Sequence, residues 1–132
     1  MTYSYLELSP TVRRPIIKII IKSGKNFAIY PMLIDSGADY CILSIDVAKA
    51  LGIQLSKKKV SFQGVSRDKI VGLWGEVDVR IDNIDYRLQA IFAEISGFGH
   101  GILGQKGFFD HFDVRLRYQA DTIELTPVNL KN

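Results

Sequence analysis

Cysteine is nearly absent from this sequence. Cys41 stands alone, so no disulfide can form within the chain, and the fold must rest on its hydrophobic core. That usage suits a reducing, cytoplasmic setting. Histidine is almost as scarce. His100 and His111 lie near no further ligand-type residues at metal spacing, so neither a metal nor another cofactor is expected. Long apolar runs are missing too. The strongest, Ile16 to Ile21, is interrupted by Lys18 and closed by Lys22, which is too short for a signal-peptide core or a membrane span. No membrane partner is expected. Although the net charge is +3, the basic residues are scattered, and the one tight cluster, Lys57-Lys58-Lys59, has no interleaved aromatics on which bases could stack. That cluster reads as a solvated loop after a helix, and no nucleic-acid partner is expected.

What is present suffices for a single core. Hydrophobic residues make up 47% of the 132, and no repeat or Pro/Gly linker divides them. Short strands with turns between them recur. Ile16 to Lys22 and Phe27 to Ile34 flank Ser23-Gly24-Lys25-Asn26, a hairpin signal. Val77, Val79 and Ile81 alternate with charged residues, Asp82-Asn83 turns the chain, and Ile84, Tyr86, Leu88 and Ala90 continue the alternation. Val114, Leu116 and Tyr118 alternate with arginines, and Ile123 and Leu125 follow the next turn. Two short helices are expected. Ser44 caps one over Ile45 to Leu51, with Gly52 as its stop. The other follows Gly104, with Phe108, Phe109 and Phe112 on one face. Together these predict an all-β fold, a compact β-barrel with one or two short helices.

Chemistry concentrates in Leu33-Ile34-Asp35-Ser36-Gly37-Ala38-Asp39. An apolar strand runs into a carboxylate, then a small hydroxyl and a glycine that permits a sharp turn and a close approach of another chain. A lone ionised carboxylate at the end of a buried strand is costly unless it is hydrogen-bonded or shares a proton with a partner. A second element, Ile102-Leu103-Gly104, repeats the pattern of an apolar pair entering a glycine and leads into Gly107-Phe108-Phe109-Asp110-His111-Phe112. A serine–histidine hydrolase pair finds no support, since no nucleophile-elbow sequence surrounds Ser36 or Ser44.

In these two motifs and their order the chain resembles the retropepsin-like, or retroviral-type, aspartic proteases, and most of all their cellular and bacterial members, over roughly residues 14–127. The resemblance implies a closed retropepsin-like β-barrel with a flap hairpin. It divides the chain into an N-terminal extension (1–13), the protease domain (14–127) and a C-terminal tail (128–132). The implied activity is that of an aspartic endopeptidase cleaving a polypeptide substrate. No second Asp-Ser/Thr-Gly exists, so an enzyme of this kind would be a homodimer with one Asp35 from each subunit. Ser36, Gly37 and Ala38 would support the active-site loop. Asp39, with Gly64 and Val65 of the flap, would bind substrate, and Ile102, Leu103 and Gly104 would form the second motif. Gly64 and Gly72 would flank the flap tip as bending points. Gln105 replaces the arginine of retroviral enzymes and would hydrogen-bond Asp39. The alternative is a catalytically inactive retropepsin-like module for peptide binding or dimerisation.

Overall fold

A computed structural model describes residues 1–63 and 69–128. In chain order the elements are β1 (Thr2–Tyr3), β2 (Leu6–Ser9), β3 (Val12–Arg14), β4 (Ile16–Ser23), β5 (Asn26–Ile34), β6 (Ile42–Ser44), α1 (Ile45–Leu51), β7 (Leu55–Gln63), β8 (Lys69–Ile81), β9 (Ile84–Ala93), a 3-10 turn (Ser96–Phe98), β10 (Gly101–Leu103), β11 (Phe112–Arg117) and β12 (Thr122–Pro127). The largest sheet has the order β4-β5-β10-β6-β9-β8-β7, and an added pairing of β4 with β8 closes the row on itself. The inward face of that ring carries the core: Ile17, Ile19, Ile21, Met32, Val77, Val79, Leu88 and Phe92 are all buried. A β1-β12-β11 sheet seals one end with Ile123 and Leu125.

The local signals act as chemistry dictates. Gly24 takes φ +58° between β4 and β5. Asp82 and Asn83 both adopt left-handed backbone (φ 54° and 66°), the type I′ geometry that suits the twist of a two-residue hairpin. At α1, Ser44 Oγ accepts from the Asp46 N–H at 3.2 Å, and Gly52 ends the helix at φ +68°.

Three expectations are corrected. The segment after Gly104 is a series of turns, because Gly107 sits at φ +103° and its N–H bonds Asp110 Oδ1 at 2.9 Å, which breaks helical continuity. Phe108 and Phe112 still reach the core, their rings 5.3 Å apart. Lys57-Lys58-Lys59 belongs to strand β7, with all three exposed, and forms no loop. Leu116 and Tyr118, whose alternation with arginines reads as a buried face, are about half exposed, since β11 is the edge strand of its sheet and Tyr118 lies beyond it.

Residues 1–14 are tied to this body. β1 pairs with β12, and Tyr3 Oη donates to Asp82 at 3.0 Å. Arg13 lies over the Tyr118 ring at 4.2 Å and pairs with Asp121.

Candidate active site

The two sequence motifs meet across one parallel ladder. β5 and β10 pair in the register Met32↔Gly101, Leu33↔Ile102 and Ile34↔Leu103, and the Asp35 N–H then donates to the Leu103 carbonyl at 3.0 Å. Asp35 is therefore the first residue beyond β5, half-buried, at a fixed height above β10. The chain turns at once: the Ala38 N–H returns to the Asp35 carbonyl at 3.2 Å, and the Gly37 N–H donates to Asp35 Oδ1 at 2.9 Å. A Cβ on Gly37 would crowd that same oxygen at 3.2 Å. Ser36, Gly37 and Asp39 are exposed, and Ala38 is half-buried.

Gly104 explains how the second motif fits beneath this loop. A Cβ there would lie 2.3 Å from the Tyr40 carbonyl oxygen and 2.7 Å from that of Ala38. The next residues brace the loop from below, as Gln105 N–H donates to Ala38 O (2.8 Å) and Lys106 N–H to Asp39 O (2.9 Å). The Gln105 side chain does not reach Asp39 as expected. Its Nε2 donates to the Ser36 carbonyl at 2.7 Å, because the tight turn at residues 35–38 aims that carbonyl at it.

Asp35 and Asp39 open into a cleft of about 1000 Å³. One wall is the β7–β8 hairpin, through Val60, Phe62 and Ile70, and the floor is the outer sheet face, through Ile42, Ile91 and Ile102. These apolar residues form a second buried cluster outside the ring. Arg14, Phe98 and His100 also line the cleft and were missed from sequence. A hint existed in β9, where Ala90 to Ala93 is apolar at every position, the mark of a strand covered on both faces. Gly64 and Val65 lie outside the described residues. Gly72 does not act as a bending point, for it is paired within β8 and its Cβ would strike Ile91 at 2.4 Å.

Other polar groups support the frame. Cys41 is fully buried, and desolvation pushes its thiol up to about 12. Its Sγ accepts from the Gly104 N–H at 3.4 Å. Tyr86 donates to Gly107 O at 2.6 Å, and burial holds its hydroxyl well above the usual tyrosine range. His111 is half-buried, stacked on Tyr86 at 4.0 Å and hydrogen-bonded to Asp110 at 2.8 Å. Among the described residues no group of three His, Cys, Asp or Glu could hold a metal, and no helix is long and apolar enough to cross a membrane.

Comparison with known proteins decides the family. A family model described as aspartyl protease matches residues 19–106, a span that includes both motifs. The chain belongs to the aspartyl protease family. Two solved structures extend the likeness of this aspartyl protease chain to the retropepsin-like fold. The retroviral protease-like domain of Ddi1 from Leishmania major superposes with TM-score 0.60 at 14% identity, covering 90% of this chain and 93% of that one. EIAV protease, solved with the inhibitor HBY-793, gives TM-score 0.57 at 20% identity, covering 75% and 88%. A search of curated proteins finds no match.

Proposed function

We propose that the protein is an aspartic endopeptidase, active as a homodimer in which two Asp35 carboxylates face each other and activate one water molecule. The observation that carries this reading is the bracing of Asp35. Its backbone is fixed to β10, its carboxylate is held by the Gly37 N–H, and its free side opens into an apolar cleft. Two such carboxylates at close range cannot both ionise, so the pair shares one proton and titrates as a unit; aspartic proteases are the standard illustration of that rule. One Asp35 takes a proton from water while its mate donates to the scissile carbonyl and then to the leaving amine. Ser36, exposed at the loop tip, lies where two loops would meet across a dimer axis. Asp39 lies beside the path of the substrate backbone, and the β7–β8 hairpin serves as the flap that excludes water.

The test is cleavage of unfolded protein and a peptide library by wild type and Asp35→Asn. Asparagine keeps the shape and can still accept from Gly37, so fold and dimer should persist while turnover falls by about a hundredfold or more. Undiminished turnover would refute the aspartic mechanism. Peptide binding without cleavage by the wild type would favour the inactive binding module instead.

A further inference from the structure

A second groove, about 520 Å³, lies beyond the active-site cleft, lined by Gln54, Lys58, Trp74, Glu76, Arg87 and Gln89. It owes its existence to an irregularity in β7. Leu55 pairs with Gly75 and Lys59 with Leu73, so three residues, Ser56 to Lys58, lie opposite the single Trp74. Within this bulge the Lys58 N–H donates to Ser56 Oγ at 3.0 Å. Bulges of this kind re-aim side chains and recur beside functional sites.

Cleft and groove lie along one row of the sheet, in which Ile42 and Ile91 are buried. Leu33↔Ile102, Ile102↔Ile42, Ile42↔Ile91 and Ile91↔Trp74 are successive register pairs, so these five residues form one row across five strands. The first four line the cleft and the fifth lines the groove. Tyr40, from the active-site loop, stands edge-on to Trp74 at 5.0 Å and marks the boundary. Four strand spacings of about 4.8 Å place Trp74 roughly 19 Å along the sheet from Leu33. An extended peptide covers that in about six residues.

The charge of the groove differs from that of the cleft. Arg87 is bonded to Glu76 and Asp78 at 3.1 Å each, which neutralises much of it. Lys58 is exposed and, among the described residues, has no ion-pair partner, with Lys57 and Lys59 exposed beside it. The cleft instead carries two carboxylates, Asp35 and Asp39, against one guanidinium, Arg14, with His100 also in its lining.

Resting on the protease reading above, we propose that this groove is a distal substrate subsite, in which Lys58 selects an acidic side chain about six residues from the scissile bond while Trp74 and the two glutamines receive the adjoining backbone.

Trp74 is the chain's single tryptophan, so its fluorescence reports binding without any requirement for cleavage. The experiment titrates Asp35→Asn protein with two extended peptides that share an apolar centre and differ in carrying glutamate or lysine six residues away, with and without Lys58→Glu. In the Lys58 protein the glutamate peptide should bind more tightly, and the preference should shrink in high salt. Lys58→Glu should shift the preference ratio by about tenfold toward the lysine peptide, as attraction becomes repulsion. Equal binding of both peptides, or a ratio untouched by Lys58→Glu, would overturn the subsite. Because the titration uses a protein unable to cleave, failure of the protease reading would show separately, as absent wild-type turnover on peptides that bind.

Discussion

At the residue scale, Gly104 sets how closely the second motif can approach the loop that carries Asp35. The contacts that a Cβ would make there are with the carbonyls of Ala38 and Tyr40, and backbone cannot swing aside as a side chain can. Gly104→Ala should therefore lose about 1–3 kcal/mol of stability, as small-to-large changes at tight contacts do. The cleavage rate should fall further than the stability, because relief requires moving the loop that carries Asp35. Urea midpoints and kcat/KM measured on the same preparation check this, and a variant with wild-type kcat/KM would show that the loop tolerates displacement. The sequence made the importance of Gly104 legible through its motif. It could not assign Gln105 its partner, because Ser36 O and Asp39 lie three residues apart on a turn whose direction no periodicity encodes.

At the scale of elements, what could be read was what is local. The β4–β5 hairpin, the Asp82-Asn83 turn and the capped helix α1 each rest on contacts within a few residues. The turn series after Gly104 was misread because Phe108, Phe109 and Phe112 have helical spacing, whereas the backbone is governed by Gly107 and the bond to Asp110. The parallel ladders β5–β10 and β6–β9 join distant segments and carry no signature in composition. Gly72 exemplifies the difference between a glycine that bends and one that packs. Gly72→Val should lower stability by about 1–3 kcal/mol, since the added carbons meet Ile91 and the Phe92 carbonyl beneath the hairpin. Thermal denaturation separates the two roles, for a bending glycine would leave the melting temperature nearly unchanged.

For the whole molecule, one chain carries one Asp-Ser-Gly, and the proposed chemistry needs two. Specific activity should fall steeply on dilution through the dimer dissociation constant, and an excess of Asp35→Asn subunits should poison the wild type through mixed pairs. Sedimentation run beside the assay checks this, and a monomer with full specific activity would contradict it. The β5–β10 ladder has one further consequence, and it concerns time. Asp35 leaves the ribosome long before Leu103, whose carbonyl holds its backbone, and before Gln105, which braces the loop around it. During synthesis the carboxylate therefore sits on an unsupported strand end, with neither floor nor brace. Chain order alone delays the assembly of the site until Gln105 has been made, so under the proposed function a chain not yet extended that far has no means of cutting itself or its neighbours.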